Sequence, residues 1–197
     1  MKIAISLCLL LLLSCGGATR TISRVHHSTS TDLSGRWNDT DSRMVAEKMV
    51  GDVLKRPWLP DFRGKNSRKP TVIVSKVRNK TSEHIKTDTF IKDIERELIN
   101  SGQVKFVASK EERNQVREER LDQQSNASFD SAKQLANETG ADYMMIGTIS
   151  SITDAVGGDR VVFYQIDLEL VDLESNEKVW IGNEKIKKII SKDNYKM

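Results

Sequence analysis

Between Asp41 and Lys55 the apolar residues fall at Met44, Val45, Met49, Val50, Val53 and Leu54, a spacing that lines one face of a helix. Asp41 is placed to cap that helix, and the run from Arg56 to Phe62, with Pro57 and Pro60, is expected to end it. Residues 55–70 then read as a cation-rich loop. Thr71 to Val77 is short and β-branched, which predicts a strand. After a polar turn, a second helix is expected over 88–100 with Phe90, Ile91, Ile94, Leu98 and Ile99 inward, stopped by Gly102. Residues 104–108 predict the next strand. Strand, helix and strand in so short a stretch form a βαβ-like unit, with both strands in one sheet and the helix on a face of it.

Ser109 and Glu112 have the spacing of a capping box for a helix reaching about Leu121, but only Val116 and Leu121 in it are strongly apolar. Residues 122–128 read as a loop, and Phe129, Ala132, Leu135 and Ala136 line a further short helix closed by Gly140. The period then changes. Residues 142–152 begin apolar on both faces, as a central strand does, whereas Val162, Tyr164, Ile166, Leu168 and Leu170 alternate with polar neighbours. A turn in which Asn176 takes the left-handed conformation leads to a last strand over 179–188. The expected fold class is α+β: helices packed on a mixed sheet of about five strands, with a three-stranded antiparallel meander at the C-terminus.

Residues 1–14 break these patterns. One cation, Lys2, precedes an almost unbroken apolar run that ends in Leu12-Leu13-Ser14-Cys15, too short to span a bilayer, which needs about 20 apolar residues. The stretch reads as a bacterial lipoprotein signal whose lipobox presents Cys15 for acylation. Each buried methylene is worth ~0.8 kcal/mol, so two or three acyl chains anchor stably. Gly16, in place of Asp after the cysteine, matches the enterobacterial sorting rule for the outer membrane. The organisation expected is a signal at 1–14, an acylated flexible tether at 15–40, a globular domain at 41–190 and a tail at 191–197. A coil of about 25 residues spans ~25–30 Å, with an extended limit of ~85 Å.

The charge is nearly balanced, with 31 basic and 28 acidic residues, which gives strong nucleic-acid binding no global support. Cys8 lies in the leader, so no disulfide is expected within the remaining chain. The chemistry a catalytic site needs is sparse. His26 and His27 lie in the tether, and His84 lies in a loop beside Glu83. Gly157-Gly158 has a hairpin context rather than the strand-to-helix context of a phosphate cradle. No metal, no cofactor and no catalytic residue is expected. Binding is better represented: between Lys55 and Lys80 nine cations face the single acid Asp61, interleaved with Trp58 and Phe62.

The runs "VSKVRNKTSEHIKTDTF", "LINSGQVKFVAS", "ANETGADYMMIGTISSI" and "FYQIDLELVDLESNEKVWIG" together resemble the LpoB family of outer-membrane lipoproteins that activate penicillin-binding proteins. The resemblance covers about 71–190 and rests on Asn79-Lys80-Thr81, Gly140-Ala141-Asp142-Tyr143, and Val171-Asp172-Leu173 with Val179-Trp180. It implies a domain similar in outline to the amino-terminal domain of TolB. It also implies a protein that is no enzyme itself, stands on the periplasmic face of the outer membrane, and docks as a monomer on a class A penicillin-binding protein to stimulate it. Loops carry function, so Arg78, Asn79, Lys80, Thr81 and His84 are the expected partner-binding residues. Two features depart from the family pattern: Asn176 stands where the turn usually has Gly, and the tether is short and lacks proline. The competing reading is a structural or assembly lipoprotein acting through oligomerisation or another envelope partner.

Overall fold

A computed structural model describes residues 21–108, 112–119 and 140–191. Its elements in chain order are α1 (Asp39–Val53), α2 (Trp58–Asn66), β1 (Thr71–Asn79), α3 (Thr87–Asn100), β2 (Lys105–Phe106), β3 (Tyr143–Val156), β4 (Asp159–Asp172) and β5 (Lys178–Ile190). Residues 112–119 are also helical, within the helix expected from Ser109. The loop at 122–128 and the helix lined by Phe129 to Ala136 lie outside the described residues.

The five strands form one mixed sheet in the order β2-β1-β3-β4-β5. β1 runs parallel to β2 and to β3, and β3, β4 and β5 form the antiparallel meander. The pleat decides the two faces. Val72, Val74, Met145, Ile149, Val162, Tyr164, Ile166, Leu168, Leu170 and Trp180 point to the helices and are buried. On the other face the side chains of Ile73, Met144, Ile146, Phe163 and Gln165 are only half-buried. α3 lies against β1 and α1 against β5, and the two helices pack on each other. Burying a large aliphatic or aromatic side chain contributes ~1.5–3 kcal/mol, so Phe90, Ile94, Leu98, Ile149 and Tyr164, all at 1% exposure or less, supply much of the hydrophobic drive. Among the described residues no helix is long and apolar enough to cross a membrane.

Several local expectations change. α1 begins three residues early because Asn38, not Asp41, is its cap: the Asn38 side chain accepts from the Asp41 N–H, and Asp41 accepts from the Asn38 N–H in return. Met44, expected inward, is 56% exposed, and Ile99 of α3 is 52% exposed. Residues 55–70 are not all loop. Pro57 and Pro60 stand before and within the first turn of α2, where an N–H has no helical partner to lose, and Trp58, Leu59 and Phe62 bury themselves at the sheet's end. The strand expected over 104–108 narrows to two residues, whereas β3, β4 and β5 all run longer than their apolar cores. Gly157, Gly158 and Asn176 occupy the positive-φ positions of the two hairpin turns, as their sequence context predicts.

The tether expected to run to residue 40 meets the domain earlier. Lys188 on β5 donates to Asp32 Oδ1 at 2.6 Å, to Asp41 Oδ2 at 2.6 Å and to the Arg36 carbonyl at 3.0 Å. Trp37 packs edge-on against Phe90 and Tyr164, with centroids 5.9 and 5.7 Å away. Residues 32–38 are therefore a strap fastened to the body. An otherwise polar stretch is held there because one large aromatic and one buried ion cluster offset its ordering entropy.

Candidate docking site

β1 leaves the sheet at Asn79, and the chain returns to begin α3 at Thr87. The Lys80 N–H still donates to the Ile149 carbonyl at 2.8 Å, so the ladder holds one residue past the strand. Beyond it, side chains replace the ladder. Asn79 Oδ1 accepts from the Thr81 N–H at 2.9 Å and from the Thr81 hydroxyl at 2.8 Å, and its Nδ2 donates to the Glu83 carbonyl at 2.7 Å. The Glu83 N–H closes the turn by donating to Thr81 Oγ1 at 3.0 Å. Asn and Thr form such local bonds because their short side chains reach the backbone two residues away.

Glu83 ties this turn to the body. Its side chain, 10% exposed, accepts the Tyr164 hydroxyl at 2.7 Å on Oε1 and the Trp37 N–H at 3.2 Å on Oε2, and Arg160 stands 3.8 Å away. Burial, then the bond and charge of Glu83, push the Tyr164 phenol far above its ordinary range, so it remains a donor at every physiological pH. Glu83 thus joins the loop, the strap and β4. No local pattern in the sequence links Glu83, Tyr164 and Trp37; a lone Trp in a Ser/Thr-rich stretch is the one signal that Trp37 is held.

Of the five expected docking residues, Arg78, Asn79, Lys80 and His84 are exposed, and Thr81 is half-buried in the turn it braces. Arg78 faces away from the helices, where Ser75, Lys76, Ile146, Thr148, Asp167 and Glu169 surround a hollow of about 270 Å³. The loop is accordingly a rigid turn whose outer side carries Lys80 and His84, with Arg78 beside it near the end of β1.

The nine cations of 55–80 do not form one patch. Arg56 pairs with Asp52, and Arg63 donates to the Gln103 carbonyl at 2.7 Å. Arg68 grips Asp142 through two 2.7 Å bonds while lying 4.9 Å from the Phe62 ring centre. Burial works against the Asp142 charge, but the bonds from Arg68 and from the Thr71 N–H hold its carboxyl below the ordinary range. Lys69 and Lys80 stand at opposite ends of β1, whose nine residues set them ~30 Å apart. A second cleft, of about 730 Å³, lies at the α2 end between Trp58, Phe62, Lys65, Asp172 and Glu177. Among the described residues no group of three or more His, Cys, Asp or Glu is placed to hold a metal.

Solved structures that the chain resembles include the C-terminal domain of LpoB from Salmonella enterica, 17% identical, with 75% of this chain and 99% of that one covered and a TM-score of 0.43. The C-terminal domain of Escherichia coli LpoB gives 17%, 75%, 99% and 0.42. Lipoprotein GNA1162 from Neisseria meningitidis gives 16%, 64%, 88% and 0.38. No curated protein matches the chain in sequence. The family model described as peptidoglycan-synthase activator LpoB matches residues 41–186, so the span from α1 almost to the end of β5 is one family unit. The chain belongs to the LpoB family of peptidoglycan-synthase activators.

Proposed function

We infer that the protein is a lipid-anchored envelope lipoprotein that binds and stimulates a class A penicillin-binding protein, with Cys15 acylated on the periplasmic face of the outer membrane. The family match over residues 41–186 carries this reading. The mechanism is differential binding: the domain raises the synthase's rate only by as much as it prefers the active conformation to the inactive one. The turn from Arg78 to His84 supports a docking role because it is preset. Asn79, Thr81 and Glu83 fix its backbone, so a partner meeting Arg78, Lys80 and His84 has little loop entropy to remove.

Capture of detergent-solubilised class A synthases on the immobilised protein tests this reading. Retention is expected for the wild type and a drop of at least tenfold in affinity for Arg78→Glu with Lys80→Glu. Retention of no synthase would remove the reading, and unchanged affinity in the double variant would remove the docking turn from it.

A further inference from the structure

The cleft of about 730 Å³ lies at the start of β1 and β3, where Val72 pairs with Tyr143, whereas the docking turn lies past the end of β1. One wall is α2, and the other is the turn that joins β4 to β5. Asp172 stiffens that turn, accepting on Oδ1 from the Glu174 N–H at 2.8 Å and the Ser175 N–H at 3.0 Å. Between the walls lies Tyr143, the residue opposite Asp172 in the β3–β4 register. Its ring meets Trp58 and Phe62 edge-on, with centroids 4.9 and 5.6 Å away, and the residue is 6% exposed.

Tyr143 has a polar group that the fold leaves unused. Among the described residues its hydroxyl has no hydrogen-bond partner, whereas the Trp58 indole N–H donates to the Val53 carbonyl at 2.7 Å and the buried Tyr164 hydroxyl donates to Glu83. Burial, then the charges of Asp172, Asp142 and Asp61, push the Tyr143 phenol above its ordinary range. The hydroxyl therefore keeps its proton beside acids that line the same cleft, bonded to none of them. Buried hydroxyls are as a rule satisfied, so one that looks onto an open cleft is available to a ligand.

Charge decides the kind of ligand. Asp61, Asp172, Glu174 and Glu177 line the cleft, and the fifth acid, Asp142, is neutralised by the two bonds from Arg68. Among the described residues, Lys65 is the one lining cation without an acidic partner. Lys178, next in the chain after Glu177, is held at 2.8 Å by Glu169, which lines the hollow on the other face of the sheet. The field that remains is negative, and no three of the acids are placed to hold a metal ion, so the match is an organic cation. A guanidinium stacks on aromatic rings, but Phe62 already carries Arg68 at 4.9 Å. An ammonium, compact and with three donors, suits a hydroxyl oxygen flanked by carboxylates. The volume, within the ~300–1,000 Å³ of ordinary ligand sites, is far more than one alkylammonium fills, which favours a length of chain over a free amine.

We propose that this cleft binds a peptide segment through a lysine side chain, whose ammonium donates to the Tyr143 hydroxyl oxygen amid the carboxylates of Asp61, Asp172 and Glu177. The proposal does not depend on the docking turn, and both sites can be occupied at once.

The test titrates the full chain, solubilised in detergent, with the pentapeptide Gly-Gly-Lys-Gly-Gly, acetylated and amidated at its ends, and follows amide shifts by NMR. Saturable shifts are expected over residues 141–143 and 172–178, with residues 78–84 unmoved. The same peptide with norleucine or arginine in place of lysine should bind about fivefold more weakly or worse, as should cadaverine. Tyr143→Phe keeps the packed ring, and Asp61→Asn with Glu177→Gln changes only exposed groups; each should weaken the lysine peptide about fivefold. No saturable shift at the cleft, equal affinity for the norleucine or arginine peptide, or full affinity in either variant would overturn the proposal. Cadaverine binding as tightly as the peptide would overturn it in favour of a free diamine.

Discussion

Glu83 accepts from two different elements with one carboxylate, and that makes it the residue whose loss is most informative. Tyr164→Phe removes one of its donors and leaves a nearly buried charge less well satisfied. Such a deletion costs about 1–3 kcal/mol, readable in denaturant unfolding, and should accelerate amide exchange across residues 80–86. If exchange there is unchanged while global stability falls, the hydroxyl braces only the core. Lys188 makes the second prediction. Burial works against its charge, but the bonds to Asp32 and Asp41 outweigh it and hold the ammonium above the ordinary lysine range. Asp41 is moved the other way from a paired acid: burial raises it despite the bond from Lys188. The lysine decides the cluster, because three acceptors within 3.0 Å are all better met by an ammonium than by a neutral amine. A lysine raised in the folded state contributes stability that is complete below its unfolded value of 10.5 and is lost as pH climbs through the folded value. The melting temperature should therefore fall above about pH 10.5, and Lys188→Met should lose about 3 kcal/mol near neutrality and flatten that alkaline limb. Parallel alkaline falls in both proteins would contradict this.

The strap and α2 show at the element scale where sequence patterns stop being legible. β4 is readable because a period of two persists over many residues and β3 because it opens apolar on both faces, and so is the βαβ unit, whose helix α3 has a clear apolar stripe. α2 is not. Its two prolines read as terminators, and nothing local reveals that both fall where the helix has no bond to lose. The strap was missed for a related reason: residues 32–38 hold their place through partners 46 to 156 positions away, such as Glu83 for Trp37 and Lys188 for Asp32, which no local window contains. Likewise Lys80 to His84 can be placed in a loop from sequence, although Arg78 and Asn79, expected in that loop, extend β1, and the link of the loop to the strap through Glu83 cannot be read locally. Truncation checks the strap directly. Removing residues up to 30 should leave the melting temperature within about 1 °C, whereas removal through 37 should cost about 2–4 kcal/mol, since it deletes Trp37 and uncouples Asp32 from Lys188. Equal stability of the two truncations would return these residues to the tether. In the sheet, Gly147→Ala places a Cβ 2.6 Å from the Asp167 carbonyl on a neighbouring strand, where backbone must move, and should cost about 1–3 kcal/mol in chemical unfolding.

For the whole molecule, the account is of a compact α+β body that acts by binding. Its long meander forms one wall, its helices fill one face, and a braced turn and a strap meet at Glu83. Family membership says what such a body is for. The most direct measurement is the glycan-polymerising rate of a purified class A penicillin-binding protein from the same cell, followed with increasing amounts of the full mature protein. The account predicts a saturable rise of several-fold, lost in Arg78→Glu with Lys80→Glu while that variant melts like the wild type. A rate unaffected by saturating wild-type protein would contradict it.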